Sequence, residues 1–153
     1  MDVKLRAAVL GAAILPAAVA LAPVANAGLT LGNYNAWVDG RYDFHTWIWS
    51  ISSCNPPELA EMCAIVSANP MPIAKAYQWY SKAVQVDGVY TLTVDVPDGL
   101  RCGNVYYGPV IPTHDVYTFD ARTLVGKLES TFDVGCDNAP GGTFTYPFRL
   151  TRL

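Results

Sequence analysis

The sequence is poor in the side chains that most often carry chemistry. It has two histidines, His45 and His114, and neither stands at ligand spacing from a second donor. No C-x-x-C pair occurs, so a zinc site has no pattern to rest on. Charged residues make up 15% of the chain and the formal net charge is −3. No lysine or arginine cluster forms, which argues against a nucleic-acid partner. A G-x-S-x-G elbow, a P-loop, a dinucleotide fingerprint and a calcium-loop pattern are all missing. No catalytic residue, metal or cofactor is therefore assigned. Paired carboxylates are one route to glycoside hydrolysis. Here most acidic residues fall at turns (Asp39, Asp87, Asp98) or on wet strand faces (Glu129, Asp133), where turn geometry and solubility explain them.

What the chain does have begins with its first 27 residues. Lys4 and Arg6 precede a run from 7 to 24 that is almost wholly Ala, Val, Leu and Ile, with Pro16 inside it. Ala25-Asn26-Ala27 then offers small residues at the two positions a signal peptidase reads. This is the pattern of a secretory signal peptide. No cysteine lies near position 28 to carry a lipid anchor. Residues 28–153 are expected to form a single exported domain, secreted or held at the cell envelope.

All four cysteines, Cys54, Cys63, Cys102 and Cys136, lie in that part. An even count in an exported chain implies disulfides before metal. Four cysteines allow three pairings, of which Cys54–Cys63 with Cys102–Cys136 is preferred. On the chain-entropy model the shorter loop would stabilise by about 3 kcal/mol and the longer by about 4 kcal/mol.

The clearest local signal is at residues 76–96, two apolar-alternating arms around Asp87-Gly88. Asp-Gly tolerates the positive φ values of a two-residue type I′ turn, so Val86 should face Val89. Trp79, Ser81, Ala83 and Gln85 then share a core face with Tyr90, Leu92, Val94 and Val96. Asp39-Gly40 suggests a second such hairpin, with arms 29–39 and 41–53. Its second arm alternates poorly and needs either a bulge or cover on both sides. Residues 54–63 enclose Pro56 and Pro57 and suggest one helical turn. Residues 63–68 read as a short strand. Residues 69–73, with Pro70 and Pro72, read as a connector that a sheet interior would not accept. Pro97-Asp98-Gly99 reads as a turn, and 102–114 as the longest irregular stretch. Alternation returns at 116–120, 124–134 and 144–151, with Pro147 marking an edge or bulge. The sum is an all-β domain, an antiparallel meander of about eight strands. A lipocalin-sized β-barrel is the first expectation and a β-sandwich the second.

Several runs resemble a family of small exported β-domain proteins of mycobacteria and related actinobacteria, whose function is not known. They are W-I-W-S-I-S-S-C from Trp47, V-D-G-V-Y-T-L-T-V-D-V-P-D-G-L-R-C from Val86, Y-T-F-D-A-R-T-L-V-G from Tyr117, and the terminal C-D-N-A-P-G-G-T-F-T-Y-P-F-R-L-T-R-L. The resemblance covers nearly the whole exported part and is most specific over 139–153. It supports export and the cysteine pairing and implies no catalytic residue. The 54–63 spacing is longer than the family pattern.

Aromatic residues are the remaining functional signal, with four tryptophans and nine tyrosines. Core packing accounts for many of them. Trp79, beside the small Ser81 and Ala83, and Tyr106 and Tyr107, in the irregular stretch, are the expected ligand contacts. The expectation is a non-enzymatic binding domain. It would take an apolar small molecule or lipid in its interior, or a protein through residues 102–115. The alternative is a structural envelope protein without a pocket, showing outward tryptophans on 41–53. A hydrolase built on His45, beside Asp43 and Trp47, or on His114 is the weakest of the three.

Overall fold

In the computed structural model, residues 29–55, 62–73 and 76–153 are described. Residues 1–27, where a signal peptide is expected, and residues 56–61, where a helical turn is expected, lie outside them. Eight strands follow one another: β1 (Gly32–Val38), β2 (Thr46–Ser53), β3 (Cys63–Met71), β4 (Trp79–Val86), β5 (Val89–Arg101), β6 (Val110–Asp120), β7 (Val125–Val134) and β8 (Pro140–Arg152). Each pairs antiparallel with the next, and β8 pairs with β1 to close a barrel. The barrel, and not the sandwich, is the observed architecture. Closure leaves the ladder without a free edge strand.

The hairpin at 76–96 has the expected register, with Val86 opposite Val89. Asp87 and Gly88 both have positive φ, 50° and 81°, as a type I′ turn requires. Tyr90, Leu92, Val94 and Val96 face inward with Trp79 and Ala83. Both disulfides form in the preferred pairing, Cys54–Cys63 and Cys102–Cys136.

Four local expectations are corrected. Asp39-Gly40 does lie between the arms of a hairpin, β1 paired antiparallel with β2, but it does not form a two-residue turn. Only Gly40 has positive φ there, and β2 resumes at Thr46, leaving a loop of residues 39–45. Tyr42 and Phe44 are loop residues, which is why the arm does not alternate. Pro70 lies within β3, opposite Trp47 of β2; β4 pairs with β3 only as far as Ala68, so the missing donor meets no second neighbour. Pro97-Asp98-Gly99 does not turn the chain. It lies inside β5, where the register with β6 shifts between Val96 and Leu100, a bulge. The irregular stretch ends at Pro109, because β6 starts at Val110. Pro112, in β6, lies opposite that bulge. Pro147 does sit where pairing thins: β1 ends at Val38 opposite Phe148.

The interior is filled by interlocking sizes. Ala68 is the register partner of Trp49 on one side and of Trp79 on the other, so the small residue makes room for two indoles. Trp49 is the hub. Its ring centroid lies 5.4 Å from that of Trp79 and 5.0 Å from those of Tyr117 and Phe148, in tilted and edge-on contacts of the kind that add about 0.5–1.5 kcal/mol beyond area burial. Below this layer Tyr34, Val66, Tyr90, Leu92, Phe119 and Leu128 are fully buried. The up-and-down order places the loop 39–45, the described residues 72–73 and 76–78 between β3 and β4, and the connections 102–109 and 135–139 together at one end, the mouth.

Candidate functional site

The mouth is where polar groups enter the apolar interior. Asp115 is on β6, and the pleat that carries Tyr117 and Phe119 inward carries it inward too. Its side chain is 0% exposed. Thr113 and Ser130 donate their hydroxyls to its Oδ1 at 2.7 and 2.6 Å, and Arg41 donates from Nη1 to its Oδ2 at 2.7 Å. Arg41 Nε and Nη2 donate to the carbonyl of Gly99. The Gly99 position has no room for a side chain, since a Cβ there would fall on the Thr113 hydroxyl. The 39–45 loop is thus drawn over the mouth by one arginine. Burial opposes the charge on Arg41, but Asp115, Tyr117 and Asp43 together outweigh it and the guanidinium is held more firmly protonated than usual. Burial also pushes the Tyr117 phenol up, against a smaller opposing pull from Arg41.

Further along the loop, Asp43 organises a second cluster. Its Oδ1 accepts from the backbone N–H of His45 at 2.9 Å and lies 2.6 Å from His45 Nδ1. Its Oδ2 accepts from Trp47 Nε1 at 2.6 Å. The three residues do cluster as their spacing suggests, with His45 buried and ahead of the first residue of β2. Phe44 packs on His45 and on Tyr106, with centroids 3.8 and 4.3 Å apart, and the Arg101 guanidinium lies 5.5 Å from the Phe44 ring centre. Asp98 is 12% exposed, with Arg101 Nη2 at 3.7 Å. Burial raises its pKa above the ordinary 3.8, partly offset by Arg101.

Together these groups enclose a cavity of about 370 Å³. Trp49, Trp79, Tyr117 and Phe148 form its floor, and Trp47, Phe44, Arg41, Asp43, Asp98 and Arg101 are among its walls. A second cleft of about 580 Å³ lies beside it, and Arg41, Tyr42, Gly99 and Arg101 line both.

The expected contacts separate here. Trp79 lines the cavity. Tyr106 stands one layer behind, against Phe44, with its carbonyl accepting from Arg101 at 3.0 Å. Tyr107 packs on Tyr106 and is 82% exposed. Trp47 and Trp49 turn inward, so the outward tryptophans imagined on 41–53 are not there. The outward one is Trp37 on β1, beneath the Arg149 guanidinium. The signal for Trp47 and Trp49 was their shared parity with Ile51. His114 is not in a loop. It lies exposed in β6, with Nδ1 2.7 Å from Asp95 Oδ1 across the β5–β6 ladder, while Asp115 points the other way. Among the described residues no group of three His, Cys, Asp or Glu stands close enough to hold a metal, and no helix is long and apolar enough to cross a membrane. No family model, curated protein or solved structure matches this chain.

Proposed function

We propose that this chain is an exported, non-enzymatic barrel that binds a small amphipathic molecule at its mouth. One observation carries the reading: Trp47, Trp49 and Trp79 converge on a single cavity that also holds a buried arginine–carboxylate pair. A volume of about 370 Å³ is at the lower end of small-molecule pockets, which run from roughly 300 to 1,000 Å³. The filled layer beneath Trp49 disfavours a lipid threaded through the barrel. The signal-like residues 1–27, the two disulfides and the resemblance to exported actinobacterial β-domain proteins support export.

The readout is built in, because Trp47, Trp49 and Trp79 report on the cavity directly. Small-molecule fractions of culture medium and cell envelope, titrated against tryptophan emission, are expected to give a saturable change that Trp79→Ala abolishes. A flat response to every fraction would end this reading. A second reading, a structural envelope protein, draws on the outward strip Tyr80, Val84, Val86 and Val89 of β4 and β5. Cross-linking in intact cells that recovers a constant partner through that strip would favour it. A hydrolase would rest on the His45–Asp43 pair at the mouth, since the His114–Asp95 pair lies exposed on the outer face.

A further inference from the structure

We propose that the mouth cavity accepts an organic cation, a quaternary or protonated amine carrying a small apolar body. This rests on the mouth-binding reading above and names its ligand class. Each charge class meets different surroundings there.

An anion would need unengaged donors. Each nitrogen of Arg41 already donates, Nη1 to Asp115 and Nε and Nη2 to the Gly99 carbonyl. Arg101 donates from Nη1 to the Tyr106 carbonyl, turns Nη2 toward Asp98, and has its guanidinium over the Phe44 ring. An incoming carboxylate or phosphate would have to break these contacts and would approach three carboxylates, Asp43, Asp98 and Asp115.

A neutral apolar ligand would remove water from Asp98 without replacing it. That carboxylate is largely buried, and Arg101 Nη2, at 3.7 Å, is beyond hydrogen-bond reach. The Asp98 backbone N–H and this loose ion pair offset only part of the burial, and desolvating a charged group that is incompletely paired is costly. The raised pKa of Asp98 has burial as its main cause and reports the same incomplete compensation.

A cation meets both needs. Asp98 supplies a counter-charge, and Trp47, Trp49 and Trp79 supply indole rings, whose faces attract cations, most strongly when desolvated. The carboxylates along the walls outnumber the guanidiniums, Asp43, Asp98 and Asp115 against Arg41 and Arg101. Asp43 is engaged on both oxygens by His45 and Trp47, which leaves Asp98 as the contact.

The test compares three probes of similar size on the intact, disulfide-bonded protein: benzyltrimethylammonium, benzyl alcohol and benzoate. Tryptophan emission and calorimetry read the binding. The ammonium should bind at least tenfold more tightly than the alcohol, and benzoate most weakly. Asp98→Asn should weaken the ammonium at least fivefold and leave the alcohol unchanged, with its circular dichroism and unfolding midpoint measured as the folding control. Trp79→Phe, which keeps an aromatic face, should weaken the ammonium less than Trp79→Leu. Benzyl alcohol or benzoate binding as tightly as the ammonium overturns the cation inference and leaves the mouth-binding reading standing. Silence from all three overturns the inference, and the fraction titration then decides the broader reading.

Discussion

Replacing Arg41 by methionine should be among the most damaging single changes at the mouth. The wild-type guanidinium makes a 2.7 Å ion pair with Asp115 and two donations to the Gly99 carbonyl. Methionine keeps most of the aliphatic stem and removes all three. Asp115 then keeps Thr113 and Ser130 on Oδ1 but has nothing on Oδ2, at a site with no solvent exposure. Leaving one charge of a buried pair without its partner typically costs about 3–5 kcal/mol. For a domain of this size that is a fall of roughly 10–20 °C in Tm. The 39–45 loop also loses its anchor, so Trp47 emission should shift to the red before the global transition. Urea unfolding followed by fluorescence and by far-UV dichroism, with disulfides intact, measures both effects. The double variant Arg41→Met/Asp115→Asn should recover at least half of the loss, because the stranded charge is gone and only neutral hydrogen bonds are missing. A loss below about 1 kcal/mol in the single variant, or no recovery in the double one, would refute the claim that this pair is buried and coupled.

Two further perturbations test neighbouring features. Gly99→Ala should destabilise by about 1–3 kcal/mol, as overpacking does, because the new Cβ meets the Thr113 hydroxyl and lies 2.7 Å from Arg41 Nη2; pairing it with Thr113→Ala should return part of the loss, measured by the same urea curves. Asp120→Ala tests the β6–β7 turn, where Asp120 Oδ1 accepts from the N–H groups of Thr123 at 2.7 Å and Arg122 at 2.9 Å. Those bonds, with Thr123 first, lower its pKa below 3.8, so the folded state binds its proton more weakly than the unfolded chain. Its stabilisation is fully present above the unfolded value of 3.8 and disappears as pH falls through the lower folded value. The variant should therefore unfold earlier than wild type at pH 7, with the gap narrowing as pH falls below 3.8, as a pH series of thermal melts will show.

The legible parts of the chain were those decided within a few residues. Alternation from Tyr90 to Val96 and the Asp87-Gly88 turn set the β4–β5 register with no help from elsewhere. The parity of Trp47, Trp49 and Ile51 was equally local, although the loop residues Tyr42 and Phe44 obscured it. The misread parts depend on distant partners. Asp39-Gly40 has the composition of a tight turn, but Arg41 is drawn to Asp115, 74 positions away, and the loop opens to allow it. Pro97-Asp98-Gly99 has the composition of a turn, yet it bulges within β5 because Gly99 lets Thr113 and Arg41 approach its backbone. Asp115 itself is one acidic residue among many in sequence. Only the phase of β6, fixed by Tyr117 and Phe119, shows that it points inward. Tyr106 and Tyr107 were singled out for sitting in an irregular segment, and the segment packs behind the cavity wall.

The shape of the mouth follows from unequal walls. β1 to β4 have 7, 8, 9 and 8 residues, whereas β5 to β8 have 13, 11, 10 and 13. The surplus lies at the mouth end, where Arg101 pairs with Val110 and Val134 with Pro140, and where β8 runs past its last pair with β1, Val38 opposite Phe148. An overhang of this kind leaves backbone groups without a strand beside them. The Cys102–Cys136 bridge ties its two turns together, and the 39–45 loop leans against it, with the Asp39 N–H donating to the Pro147 carbonyl at 2.9 Å and Arg41 reaching Gly99. The result is a bowl with a high back of β5–β8 and a low front of β1–β4. His45, Thr113, Asp115 and Ser130, the buried polar residues among those described, all stand around it. A closed barrel whose interior is otherwise dry has no need of four buried polar groups at one end, and their cost is understandable where they shape a cavity. Substitutions around the bowl should therefore change binding together with stability, whereas substitutions at the opposite end, near Asp87-Gly88 and Cys54–Cys63, should change stability alone.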